Sequence, residues 1–295
     1  MSYKRKIKSN VKYSLLFVVI AVGIYVGFGK VVKSFSDSSS NIENQEAVSN
    51  KEKEEIPVEV LSSTDPTIQE LLEISDKYPE VNKILSNLSS YPKQLLELAA
   101  KKVETIDFVA DYVNQEPSSN DEKISIKNDY KKGEIPLFIQ WDERWGYNKY
   151  GPDFIAINGC GPTSLAMVAV GLTDNTDINP KVVVDFSLKN GYLVDGVGSS
   201  WSLMTEGAKS FGLRGKELPL SEPVIISTLK KGQPIIASMG PGEFTTQGHY
   251  IVLTGVDKDG KIIVNDSDSK ERSKMTWDID VFMKETKNLW SFTTR

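Results

Sequence analysis

The stretch Gly159-Cys160-Gly161-Pro162-Thr163-Ser164 runs directly into Leu165-Ala166-Met167-Val168-Ala169-Val170-Gly171-Leu172. No other part of the chain restricts the fold so tightly. The second half has no polar side chain, so a helix there has no face for water and must be buried all round. Gly159 and Gly161 let the backbone turn sharply. Pro162 suits a first helical turn, where its missing N–H has no intrahelical partner to lose. Gly171 reads as the stop. Cys160 therefore belongs at or just before a helix N-terminus, where backbone N–H groups and the helix dipole favour a thiolate. The plainer reading is a cysteine that packs as a small hydrophobe.

The chain of 295 residues has one cysteine and one histidine. If Cys160 is a nucleophile served by a histidine base, His249 must meet it. His249 lies in an apolar run, Gly248-His249-Tyr250-Ile251-Val252-Leu253, that continues as a strand to Val256. Asp257-Lys258-Asp259-Gly260 is a turn signal and Lys261–Asn265 the return strand. Pairing Asp257 with Gly260 sets Ile251 opposite Asp266, with His249 one diagonal step away on the same face. A carboxylate there can bond the imidazole and fix its tautomer. Alternatively, Asn265-Asp266-Ser267-Asp268-Ser269 is a plain turn or a calcium loop. Gln140 ends a short strand expected at Pro136–Gln140. It is either a side-chain donor to an oxyanion or a surface strand end.

The N-terminal third differs in composition. Lys4, Arg5, Lys6, Lys8 and Lys12 form a basic tail (1–12) before an uncharged run at 13–29. That run nearly spans a bilayer, and the basic excess places the tail in the cytoplasm. A cleaved signal peptide is the alternative; the absence of an Ala-x-Ala-like site favours an uncleaved anchor, with the rest of the chain extracellular. Residues 30–65 read as a solvated, disordered tether. Residues 66–113 read as short amphipathic helices broken at Pro79 and Pro92, either a packing module or a binding element. Residues 114–134 read as a linker, and 135–295 as the main domain.

In that domain Pro180–Ser187 and Ser199–Phe211 are expected as helices, with another from Ser221 to Lys230 and a strand at Pro234–Ser238. The pattern is α+β: an antiparallel sheet packed against the Cys160 helix. One cysteine excludes an intrachain disulfide, and one His with one Cys makes no structural zinc site. No metal or other cofactor is expected. A net charge of -5 gives no reason to expect a nucleic-acid partner.

Gln140-Trp141-Asp142 with Arg144-Trp145, Gly159 to Ser164, Gly242-Glu243-Phe244-Thr245 with Gly248 to Leu253, and Asn265-Asp266 together resemble the bacterial cysteine peptidases related to the double-glycine leader peptidases, of papain-like fold. The resemblance covers 135–290 and extends to helices within 78–112. It implies Cys160 as nucleophile, His249 as base, Asp266 as the orienting group and Gln140 as oxyanion donor, acting on a peptide or protein. Relatives often carry Pro after the Asp, where this chain has Ser267. No phosphate-cradling Gly-Lys-Ser/Thr loop occurs, which sets the chain apart from transporter-fused leader peptidases. A cell-wall peptide hydrolase or transpeptidase with the same Cys/His pair, and a non-catalytic surface module, are the competing readings.

Overall fold

The computed structural model describes residues 55–115 and 123–295. The basic tail, the membrane anchor and most of the tether expected from the sequence lie outside the described residues. Among the described residues no helix is long and apolar enough to cross a membrane.

Among the described residues five short helices come first: α1 (Val58–Leu61), α2 (Pro66–Ile74), α3 (Glu80–Ser86), α4 (Lys93–Lys101) and α5 (Ile106–Asp111). Asp65 caps α2 by accepting from the N–H groups of Thr67 and Ile68, which satisfies donors that a helix start leaves orphaned. Pro79 and Pro92 stand immediately before α3 and α4. The helically spaced Leu71, Ile84, Leu85, Leu95 and Val109 are fully buried. They share one core with Ile139, Trp141, Phe154 and Ala156 of the following domain.

Two expected boundaries move. Val60 of α1 is buried in that same core, so the structured chain begins inside the expected tether. Ile126 is fully buried in the main core, and Asp129 takes a two-pronged ion pair from Arg144 at 2.7 and 3.1 Å. The second half of the expected linker is thus part of the domain. In both places a short apolar pair, Ile56 with Val60 and Ile124 with Ile126, packs into a core, a signal that averaged composition conceals.

Two ribbons follow, β1 (Lys149–Tyr150) with β2 (Asp153–Phe154), and β3 (Leu193–Val194) with β4 (Gly198–Ser199). The main sheet comprises β5 (Leu213–Leu218), β6 (Ile235–Met239), β7 (His249–Val256), β8 (Ile262–Asp266), β9 (Thr276–Trp277) and β10 (Thr286–Thr294). Its order is β5-β10-β6-β7-β8-β9, antiparallel throughout. Alternation of side chains sorts its two faces. Ile236, Val252, Trp290 and Phe292 pack with the helix that starts at Cys160. Ile235, Ile251, Leu253 and Leu289 pack with Ile225, Leu229 and Phe282.

The helix α6 (Ile155–Asn158) leads through Gly159 into α7 (Cys160–Thr173). Gly171 lies inside α7 rather than ending it; the stop is Asp174, in the left-handed region at φ 57°. A Cβ on Gly171 would sit 2.4 Å from Ile135 Cδ1 and 2.9 Å from Ile135 Cα, so the glycine serves a backbone crossing. The helix α8 (Pro180–Lys189) matches expectation. The helix expected over Ser199–Phe211 divides into β4, the short α9 (Ser202–Thr205) and a 3-10 turn at Gly207–Phe211. The helix α10 spans Glu222–Lys230, and two more, α11 (Lys270–Lys274) and α12 (Ile279–Glu285), follow β8.

Pro136–Gln140 forms no strand, and Gln140 already belongs to a turn. Asn265 Nδ2 donates to the carbonyls of Ile135 and Pro136 at 3.0 and 3.1 Å, and Gln140 N–H donates to Ser267 O at 2.7 Å. A side chain replaces the ladder where Pro136 has no N–H to give. The β7–β8 register does set Ile251 opposite Asp266, though by another route. The turn closes Asp257 N–H on Lys261 O at 2.8 Å, one residue later than expected, and a bulge between Leu253 and Gly255 restores the pairing.

Candidate active site

Cys160 is the first residue of α7 and is half-buried. The ground beneath it is crowded. A Cβ on Gly161 would lie 2.6 Å from Ser199 Oγ and 2.7 Å from Ser199 Cβ, so only glycine admits the β3–β4 ribbon this close. Tyr150 OH bonds Ser187 Oγ at 2.7 Å and Ser199 Oγ at 3.0 Å, and Tyr250 OH donates to Ser199 O at 2.9 Å. Ser164, one turn along α7, donates to Tyr250 O at 3.2 Å. That bond ties the cysteine's helix to the residue after His249.

His249 opens β7 and is buried. Its Nε2 lies 2.7 Å from Asp266 Oδ1, and the ring also hydrogen-bonds Cys160. Burial alone would push the imidazole toward neutrality, but the charge of Asp266 and its hydrogen bond prevail, aided by a hydrogen bond with Cys160. The pKa is raised to about 10. The raised value favours the imidazolium form at neutral pH.

Asp266 ends β8 with no exposed surface. Its Oδ1 also accepts from Asp268 N–H at 2.8 Å, and its Oδ2 from Arg272 Nε at 2.6 Å. Burial would raise its pKa, but the imidazolium and the Arg272 guanidinium together lower it to about 2. Asp268 in turn pairs with Lys102 and with Arg272 Nη2. The two carboxylates of the alternative calcium-loop reading are thus already met by cationic side chains of the protein.

Gln140 is buried beside this loop. Its Nε2 donates to Ala156 O at 2.9 Å and to Ile157 O at 3.3 Å, both in α6, and its Oε1 accepts from Ser267 Oγ at 3.2 Å. Ser267, where relatives often have proline, is fully buried and anchors the loop to Gln140 through this hydroxyl and its own carbonyl. Cys160, His249 and Gln140 all line one open cleft, whose walls include Val197, Trp201 and Lys102.

Arg272 and Ser164 hold the site and were not among the residues read from sequence. Arg272 follows a polar turn and its partner lies across it, so no local spacing points to it. Ser164 lies inside a motif read for its flexibility and not for its hydroxyl.

The Peptidase_C39 like family has a model that matches residues 132–295, more than half of the chain. Among solved structures, the chain is similar to the peptidase domain of Streptococcus ComA, described as a bi-functional ABC transporter involved in a quorum-sensing pathway. The identity is 19%, covering 47% of this chain and 93% of that one, with a TM-score of 0.37. No curated protein sequence matches. The chain belongs to the Peptidase_C39 like family and is a bacterial cysteine-type peptidase of α+β fold.

Proposed function

We propose that this peptidase hydrolyses peptide bonds with Cys160 as nucleophile, His249 as acid and base, Asp266 as the orienting carboxylate and Gln140 as oxyanion donor. The thiolate of Cys160 attacks the scissile carbonyl. The developing oxyanion is met by the Cys160 N–H and by Gln140 Nε2, whose longer contact, to Ile157 O, gives way to it. Collapse expels the amine with the proton from His249 and leaves a thioester. His249 then takes a proton from water, the hydroxide attacks the thioester, and the C–S bond breaks to release the acid and restore the Cys160 thiolate beside protonated His249. The observation that carries this reading is the 2.7 Å bond from His249 to Asp266 beside a cysteine at a helix start.

The composition of residues 1–33 supports a further part of the proposal: residues 13–29 anchor the protein in a membrane and the peptidase domain faces the outside. The test incubates the protein with a peptide library and, separately, with purified peptidoglycan. Peptide cleavage should fall by about 10³-fold or more in Cys160→Ala and in His249→Ala, and by about 10²-fold in Gln140→Ala. Cleavage that survives Cys160→Ala sinks the mechanism. Release of wall peptides alone would assign the same pair to cell-wall hydrolysis.

A further inference from the structure

The loop that holds Asp266 is itself held from outside the peptidase domain. The helical segment ends α4 at Lys101, and the next four residues reach across to this loop. Lys102 Nζ pairs with the Asp268 carboxylate, and Asp268 N–H is one of the donors to Asp266 Oδ1. Glu104, in the 3-10 turn Val103–Thr105, accepts from the Ser269 hydroxyl. It also accepts from the N–H groups of Lys270 at 2.8 Å and Glu271 at 3.2 Å. Those residues open α11, which carries Arg272 to Asp266 Oδ2. Thr105 Oγ1 donates to the carbonyls of Leu98 and Lys102 and so stiffens the turn. Trp141, in the core shared with the helices, donates from Nε1 to Asp268 O at 3.1 Å. Both oxygens of Asp266 are thus bonded by groups braced, one bond further on, by the helical segment. The same segment walls the cleft with Glu70, Ala100, Lys101 and Lys102.

We infer that the helical segment is a positioning element of the active site: Lys102 and Glu104 hold the Asp266–Arg272 loop in the one arrangement that orients His249. Neither residue touches the reacting atoms. This rests on the reading above that Cys160 and His249 form the reacting pair. A helical module that merely shields a core needs only the apolar contacts of Leu71, Leu95 and Val109. The carboxylate and ammonium aimed at the triad loop are extra to that task.

The chain's single histidine makes the test direct, because every imidazole signal belongs to His249. The titratable and charged groups facing His249 are Cys160 on α7, Asp266 on β8, and Arg272 and Asp268 beyond it, with Lys102 and Glu104 behind those. The full chain would be labelled with 15N-histidine and titrated by NMR as wild type, Lys102→Met, Glu104→Gln and the double variant. Cys160 alkylation by iodoacetamide would be followed in parallel. Lys93→Met, which removes an exposed charge from the same helix (77% exposed), is the control.

In the double variant the imidazole should titrate lower by about one pH unit, a tenfold change in its protonation equilibrium, and alkylation should respond, while Lys93→Met matches wild type. An unmoved His249 titration in a folded double variant overturns the inference. So does an equal shift in Lys93→Met, or failure of both single variants to fold, which would make the segment a structural support only. A wild type in which His249 titrates at its ordinary value and His249→Ala leaves alkylation unaltered would instead sink the Cys–His reading, and this inference with it.

Discussion

The two halves of the site are built by different physics. On the thiol side, fourteen contiguous residues of α7 place Cys160, and ten of them, Gly161 to Val170, are buried. What fixes that helix is volume: Leu165, Met167 and Val168 fully buried in the main core, and close approaches at Gly161 and Gly171. On the imidazole side, the seven residues Asp266–Arg272 are held almost wholly by directional bonds. Their partners include Lys102, Glu104, Gln140, Trp141 and His249. Packing is non-directional and spread over many contacts, each of which carries only a small part of the total. A polar network buried at low dielectric sets angles that packing cannot, yet it depends on every member being satisfied. The thiol is delivered to its place by packing; the imidazole is aimed by bonds.

The largest effect that can break this contrast is Asp266→Asn. The shape is nearly kept, but the imidazolium and Arg272 lose their shared counter-charge inside the protein. Peptide cleavage should drop by about 10²- to 10⁴-fold, as when the carboxylate of a triad is neutralised. Stability should fall by about 3–5 kcal/mol, the usual cost of stranding one partner of a buried ion pair. Rates on a cleaved peptide and urea unfolding of the same sample measure both. If Gly161→Ala, which drives a methyl into Ser199, costs the rate as much as Asp266→Asn does, the two sides are not built as differently as described here.

How much of this could be read from the sequence follows the same division. The thiol side is local, so Gly159 to Val170 announced a buried helix beginning at Cys160. Its end was misplaced because Gly171 is there for Ile135, a residue 36 positions earlier in the chain that no helical pattern reports. The β7–β8 hairpin is also local, and its register was legible. Even so, the turn at Asp257–Lys261 and the bulge before Gly255 shift the pairing in opposite senses and cancel. The braces of the Asp266 loop were invisible. Glu104 and Ser269 are 165 positions apart, and nothing in Lys-Lys-Val-Glu-Thr distinguishes a structural carboxylate from one on a solvated face. Pro136–Gln140 misled for a related reason: its strand-like pattern is satisfied by the side chain of Asn265, and side-chain bonding leaves no periodicity to read.

A smaller effect, spread over pH, sharpens the contrast. His249 is raised to about 10 in the folded chain, against an ordinary value of about 6.5 in the unfolded one. Its contribution to stability is therefore fully present below about pH 6.5 and is lost as pH climbs toward 10. Asp266 is lowered to about 2, so the same ion pair contributes fully above about pH 4 and is lost as pH falls toward 2. Urea midpoints taken across this range should form a plateau between about pH 4 and 6.5 with a decline on either side. The buried phenols of Tyr147 and Tyr250 are raised by burial as well. A free phenol ionises near pH 10, so they act only above the window in question. The alkaline decline between about 6.5 and 10 should flatten in Asp266→Asn and persist in Gly161→Ala. Persistence in Asp266→Asn would mean that some other group is responsible and that the imidazole is not held as described.

The smallest expected effect tests the packing side on its own terms. Gly171→Ala gains about 1 kcal/mol of helix propensity, because glycine is a poor helix former. Against this, the added methyl would meet Ile135 Cδ1 at 2.4 Å, Ile135 Cα at 2.9 Å and Glu134 O at 3.1 Å. The side-chain tip can rotate away, but the Cα and the carbonyl cannot move without shifting the segment that leads to Gln140. Overpacking of this kind costs about 1–3 kcal/mol, so the net should be a destabilisation of about 1 kcal/mol, read as a lower urea midpoint at unchanged slope. Because the strain enters at the far end of α7 from Cys160 and is shared among many contacts, the His249 titration should not move. A shift in that titration would show that volume errors reach the imidazole as readily as broken bonds do, and the division between delivering and aiming would have to be given up.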